Sequence, residues 1–225
     1  MRILVILFLL IGLLCACCSQ ADPGTRPITN ANTILAMSTD DWGLFSPGKR
    51  QLIVAVWDDG TIIWSKNRLE GGTPYFTGKV DPVKVTDLLT QMEKQGIFTD
   101  KNLQRSHWGP DSKFSEILIK YRKKTLNIRS WHELYEAGGK TVATSSGLEP
   151  LNGRKIETVL QNEPKEYQDF RSMWSKLRQQ ITGLIPQKET PAHGKVQMKA
   201  GIMSWQQPHA PDHPESTQGS RKQRK

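Results

Sequence analysis

The stretch QLIVAVWDDGTIIWS, residues 51–65, limits the possible folds more than any other. Two apolar runs flank Asp59-Gly60, a pair suited to the positive φ angles of a two-residue type I′ turn. With that loop, Trp57 faces Ile62 and Ala55 faces Trp64, and Ile53 joins them on one side of the hairpin. Leu52, Val54, Val56 and Ile63 fill the other side. A hairpin that is apolar on both sides must be covered on both, so it belongs at the centre of a sheet.

The flanking sequence supplies the cover. Tyr75 to Val80 reads as a short strand after Gly71-Gly72. Asp81-Pro82 then opens a helix, with Asp as N-cap and Pro at the first helical position. Val85, Leu88, Leu89 and Met92 form one apolar stripe, and Gly96 stands where a helix ends. FSEILIKYR and TLNIRSW, residues 114–122 and 125–131, alternate as a second antiparallel pair. Ile117, Ile119 and Tyr121 share a face with Leu126 and Ile128. Glu116, Lys120, Asn127 and Arg129 point the other way, which predicts one wet face. In the last helix Tyr167, Phe170, Trp174, Leu177, Ile181 and Leu184 recur at alternating spacings of three and four. That seam lasts about two and a half heptads, short of the three or four of a coiled coil, so it is expected to pack on its own sheet. The order predicts an α+β domain: a mainly antiparallel sheet of about four to five strands packed by two amphipathic helices.

All three cysteines, Cys15, Cys17 and Cys18, lie near the start of the chain. They follow Arg2 and a twelve-residue apolar run, Ile3 to Leu14. Spanning a bilayer takes ~20 apolar residues, so the run reads as the h-region of a secretory signal. Two processing sites compete. Ser19-Gln20-Ala21 allows a cut before Asp22. Leu14-Cys15-Ala16-Cys17 resembles a bacterial lipobox, with Cys17 as the lipidated residue. A zinc or redox cluster would need a second group of ligands, and the chain has no other cysteine, so no metal or cofactor is expected. After either cut the exported domain faces an oxidising compartment without a disulfide and depends on a hydrophobic core.

Composition divides the chain into a signal at 1–21, a flexible tether at 22–48, the α+β domain at 49–186 and a disordered basic tail at 187–225. The tether is mostly small and polar. The tail is proline-rich, and only Val196 to Trp205 carries enough apolar residues to order locally. The formal charge of +9 is shared out. Residues 186–225 hold seven Lys/Arg against three acids, and residues 22–185 hold 23 against 19. A body so mildly basic argues against a nucleic-acid partner. Arg122-Lys123-Lys124 and the terminal RKQRK read as a solvated turn and a solubilising tail.

The run from Trp57 to Phe98, with its Asp-Gly hairpin, I-I-W-S, G-G-x-P-Y-F-x-G-x-V-D-P and G-I-F, resembles a class of uncharacterised exported bacterial proteins. S-H-W-G-P-D-S, R-S-W-H-E-L-Y and a final helix carrying Trp before L-I-P fit the same resemblance, which covers residues 50–186. It implies a fold and an export route, and no site residue.

Two segments carry candidate chemistry: His107, Trp108 and Asp111 in one, Trp131, His132 and Glu133 in the other. Together they contain the residue types of a hydrolase or a metal-dependent enzyme. Such chemistry needs a nucleophile, base and orienting group within hydrogen-bond reach. No G-x-S-x-G elbow or H-E-x-x-H spacing supports it. The plainer reading has the tryptophans covering a sheet edge, Gly109-Pro110 shaping the loop, and Ser130 with Glu133 forming a capping box. The expected role is a non-catalytic binding or structural one in the cell envelope, towards a protein or glycan partner, with membrane attachment through an acylated Cys17. The alternatives are the enzyme and polyanion binding through the basic tail.

Overall fold

The structure, a computed structural model, describes residues 25–29, 31–41, 49–103, 113–199 and 202–207. In chain order the elements are β1 (Thr25–Ile28), β2 (Leu35–Asp40), β3 (Gln51–Val56), β4 (Thr61–Ser65), β5 (Tyr75–Lys79) and α1 (Pro82–Lys94). They continue with β6 (Phe114–Tyr121), β7 (Lys124–Ser130), α2 (His132–Glu136), β8 (Thr141–Thr144), β9 (Gly147–Pro150), α3 (Ile156–Leu160) and α4 (Lys165–Thr182). The last are β10 (Thr190–Pro191), β11 (Lys195–Lys199) and β12 (Ile202–Gln206). The fold is α+β, and its paired strands run antiparallel. The main sheet has seven strands in the order β10-β5-β4-β3-β2-β6-β7, more than the four to five expected. A three-stranded sheet, β1-β12-β11, and the β8-β9 hairpin accompany it.

The extra strands come from segments whose composition reads as unstructured. β1 and β2 fall within the expected tether, yet β2 is buried at all six positions, between β3 and β6. Its sequence, LAMSTD, conceals this because four of its six side chains are small or polar. Leu35 and Met37 turn to one face, Ala36 to the other. The order expected for Val196 to Trp205 appears as β11 and β12, and β10 adds a two-residue edge. Both groups lie in the stretch read as a disordered tail, so that boundary also moves. Residues 208–225 lie outside the described residues, as do residues 1–24, including Cys17.

The β3–β4 hairpin is central and covered on both sides, as its two apolar faces require. Its turn is one residue longer than expected. Val56 pairs with Ile62 and Ala55 with Ile63, and the Trp57 N–H donates to the Thr61 carbonyl at 3.0 Å. The loop is therefore Asp58-Asp59-Gly60, and only Gly60 has positive φ, +74°. That is a three-residue loop with a G1 bulge. The Asp59 carboxylate selects it by accepting from Thr61 N at 2.9 Å and Thr61 Oγ1 at 2.8 Å. A side chain on Gly60 would place Cβ 2.2 Å from the Val80 carbonyl oxygen. The slip of one residue changes the cross-strand partners. Trp64 stands opposite Val54, not Ala55. A second irregularity, opposite Met37 and Ser38, puts consecutive Ile53 and Val54 in the same core.

The two faces of the main sheet are covered differently. On one, Leu35, Met37, Val54, Val56, Ile62, Trp64, Ile117, Ile119, Leu126 and Ile128 pack against α1 and α4. Helix α1 starts as expected, with Asp81 Oδ1 accepting from Val83 N at 2.9 Å. Gly96, with φ of +77°, follows its C-cap Gln95. Helix α4 buries Tyr167, Phe170, Trp174, Leu177 and Ile181 on this sheet. On the other face, Leu52, Ala55, Trp57, Ile63 and Tyr75 meet Ile28, Met203 and Trp205 of the small sheet. The Tyr75 and Trp205 rings meet edge to face at 6.1 Å. The small sheet covers only part of that face.

Candidate functional site

The sequence-named residues divide at once. His107, Trp108 and Asp111 lie outside the described residues. Trp131, His132 and Glu133 sit together where β7 passes into α2. Trp131 is buried, its ring edge-on to Tyr135 at 5.3 Å. The expected capping box does not form. Trp131 already has helical angles and takes the N-cap position without a side-chain cap bond. Ser130 stays in β7 opposite Ser115, and its hydroxyl hydrogen-bonds His132 Nδ1 instead. His132 is buried edge-on to Trp174, 5.7 Å between ring centres.

The acids of α2 are tied to α4. Glu133 Oε2 accepts from Arg178 Nη1 at 2.6 Å, and Arg178 Nη2 donates to the Arg68 carbonyl at 2.5 Å. Burial pushes the Glu133 carboxyl up from its ordinary range, and Arg178 pulls it back. Glu136 takes Arg171 in a two-point pair, 2.8 and 2.7 Å, and also accepts from Ala143 N at 2.8 Å. Glu133, Glu136 and Arg171 line a shallow groove of about 580 Å³ between α2, α3 and α4. Each observed bond joins elements of the fold. The arrangement locks α2 and the β8–β9 hairpin onto α4. Among the described residues, no group of three or more His, Cys, Asp or Glu converges to hold a metal ion.

A different set of residues meets on the second face of the main sheet. Ser38, Glu116 and Arg129 form one row across β2, β6 and β7. Glu116 is 5% exposed and sits between two guanidinium groups, bonded to Arg50 and 3.6 Å from Arg129. Arg50 Nε lies 3.7 Å from the Asp40 carboxylate, an ion-pair distance too long for a hydrogen bond. That Nε is buried and has no hydrogen-bond partner among the described residues. Burial lowers the Arg50 pKa, Asp40 raises it and Arg129 lowers it. Arg129 also lies over the Phe114 ring at 5.0 Å. Two cations and two anions thus neutralise one another in a largely buried network.

This network forms the polar end of a cleft of about 200 Å³ beside the small sheet. Ile28, Ala36, Leu118, Ile202 and Met203 give it apolar walls. Ser38, Arg50, Glu116 and Asn127 bring polar atoms into it. The strand alternation identified Glu116, Asn127 and Arg129 as a shared face. It misassigned Glu116 as wet, because Arg50 comes from outside that hairpin. Asp40 and Ser38 left no sequence signal, since they lie in the supposed tether.

No protein-family model, curated protein or solved structure matches the chain. The chemistry of the two charged regions is therefore the guide to function.

Proposed function

We propose that this chain is an exported cell-envelope domain with a non-catalytic binding role, and that the cleft between the main and small sheets is its contact surface. The buried Arg50–Glu116 pair carries this reading. Fixed charges held by mutual pairing at the end of an apolar-walled cleft orient a partner's polar group and keep the cleft's shape. Apolar walls with a few convergent polar atoms are the usual make-up of a binding site. Pockets for free small ligands run ~300–1,000 Å³. A cleft of about 200 Å³ is better matched to one side chain or one sugar ring projecting from a larger partner. A protein or glycan partner in the envelope meets that requirement. The signal-like N-terminus supports export, and the lipobox-like Leu14 to Cys17 supports anchoring through Cys17. The α2 acids support a structural role for the rival site, since Arg178 and Arg171 engage them.

Leu118 is half-buried on the cleft wall, so Leu118→Lys puts a charge into the cleft while its stem keeps the apolar contact. Immobilised wild type and variant would be compared for capture of solubilised envelope proteins and of cell-wall glycan fragments. The expected result is an unchanged denaturation midpoint with binding of one class reduced by at least about tenfold, the effect of ~1.4 kcal/mol. Equal capture of both classes by the two proteins would refute the cleft as the contact surface.

A further inference from the structure

The main sheet ends in two unlike ways. At one end β10 is two residues long and includes Pro191. A very short strand with a proline protects an edge against further pairing. At the other end β7 is seven residues long and has no proline. Among the described residues no strand pairs with its outer side, and Lys124, Thr125 and Asn127 are exposed.

The register shows which backbone groups that edge presents. Lys120 N donates to the Ile34 carbonyl at 2.8 Å, so Lys120 directs its backbone groups to the β2 side of β6. Successive residues of a strand direct theirs to opposite sides. Ser115, Ile117, Ile119 and Tyr121 therefore face β7, where they pair with Ser130, Ile128, Leu126 and Lys124 in an unbroken register. Thr125, Asn127 and Arg129, the residues between, aim their N–H and C=O groups outwards. An edge of this kind is a template for another strand.

The sequence of β7 fits a second copy of itself. Two antiparallel copies centred on Asn127 set Asn127 against Asn127, Thr125 against Arg129, Leu126 against Ile128 and Lys124 against Ser130. Outward-facing residues then meet outward-facing residues along the whole strand. Leu126 and Ile128 extend the apolar layer beneath the helices, and no like charges stand opposite each other. Slipping the second strand by two residues puts Lys124 against Ile128 or Leu126 against Ser130, and either loses an apolar pair. The two-fold axis of such a pairing is perpendicular to the sheet, so the same face of each copy lies on the same side. Thr125 and Asn127 line the cleft. The second copy therefore brings its Arg129 beside Thr125 at the cleft wall, and the two clefts adjoin across the axis.

We propose that two copies of this chain pair through β7 into one continuous antiparallel sheet, an isologous dimer with its clefts side by side. Joint use of the clefts rests on their reading as the contact surface, whereas the pairing itself does not.

The test follows the mass of the full chain by sedimentation over a range of concentrations, together with residue-resolved amide exchange. The mass should rise to that of a dimer. At high concentration the amides of Thr125, Asn127 and Arg129 should exchange as slowly as those of Leu126 and Ile128, and on dilution these three should exchange faster. Asn127→Pro removes the central outward donor of each copy and spares the bonds to β6, so dimerisation should weaken at least about tenfold. Asn127→Lys and Asn127→Asp each place like charges across the axis and should weaken it about threefold, while an equimolar mixture of the two should pair more tightly than either alone. A wild type that stays monomeric at every concentration, or three amides that exchange fast throughout, would overturn the proposal. Equal dimerisation by the two charge variants and their mixture would also overturn it, since Asn127 would then not lie on the axis. A monomer leaves the cleft reading intact, and failure of the Leu118→Lys capture experiment leaves the dimer intact. A photoreactive residue at position 127 separates the two as well: pairing gives an adduct of twice the chain's mass that Leu118→Lys does not remove.

Discussion

The two faces of the seven-stranded sheet solve the same covering problem to different extents. On the helix face, α1 and α4 close over an apolar layer in which Trp64, Trp174, Phe170 and Met37 are fully buried. On the other face the small sheet reaches Trp57, Ile63 and Tyr75, and among the described residues a cleft lined by Glu116 and Arg50 lies beside it. Charges on the two sides also differ in use. Glu133 and Glu136 join helix α2 to α4 by short bonds to Arg178 and Arg171. Glu116 joins strands at the end of a cleft. Where the covering layer is complete, side chains serve stability. Where it is incomplete, the same sheet carries the surface proposed for a partner.

The comparison breaks first at its driest point. Trp174→Ala removes a fully buried ring that touches Phe170 and His132. The expected loss is ~3–5 kcal/mol, the range for truncating a buried large aromatic residue. Denaturant midpoints equal to wild type would show that α4 is not docked.

A smaller loss is expected on the open face. Glu116→Ala leaves Arg50 and Arg129 without their shared carboxylate. Breaking a fully buried pair costs ~3–5 kcal/mol. Arg50 is 23% exposed and Arg129 40%, so water recovers part of that and about 2 kcal/mol is expected. Glu116→Leu, which keeps the volume, should cost no less, because both cations remain. If either variant is as stable as wild type, the network does not hold the cleft together.

The hairpin turn should respond to acid. Burial raises the Asp59 carboxyl pKa, but hydrogen bonds from Thr61, Arg26 and Lys79 outweigh it and hold the group well below the usual carboxylate range. The unfolded chain takes up that proton near pH ~3.9, so this contribution is present above that pH and lost as pH falls below it. Asp59 is 45% exposed, so solvent limits the effect to under ~1 kcal/mol. Asp59→Asn should therefore lose less stability than wild type between pH 5 and about 2. Parallel acid-denaturation curves would contradict this account of the turn. The smallest effect is expected from truncation after Gln207, which should move the midpoint by less than ~0.5 kcal/mol.

Periodicity made the helix face legible. The α1 stripe, the α4 seam and the Ile117/Ile128 pairing all emerge from residues whose type matches their position. The second face was harder to read because its parts are weak singly. β2 presents Ala36 and Ser38 to it, β1 has four residues, and β11 and β12 carry Lys195, Gln197, Lys199 and Gln206 among their apolar residues. Such strands become stable through pairing, which composition does not record. The hairpin register failed for a local reason: Asp59-Gly60 suits a two-residue loop, but the Asp59 bonds to Thr61 favour three. The cleft was hidden for the same reason as its cover. Arg50 lies 66 positions from Glu116, and only the fold brings them together.

Site-specific photocrosslinking in living cells tests the contact surface most directly. A photoreactive residue at Asn127, exposed in the cleft, would be compared with one at Ser172, exposed in the groove beside α4. A discrete adduct formed from position 127, abolished by Leu118→Lys and absent from position 172, is the predicted result. An adduct from position 172 with none from position 127 would contradict the assignment and move the functional surface to the groove lined by His132 and Glu133.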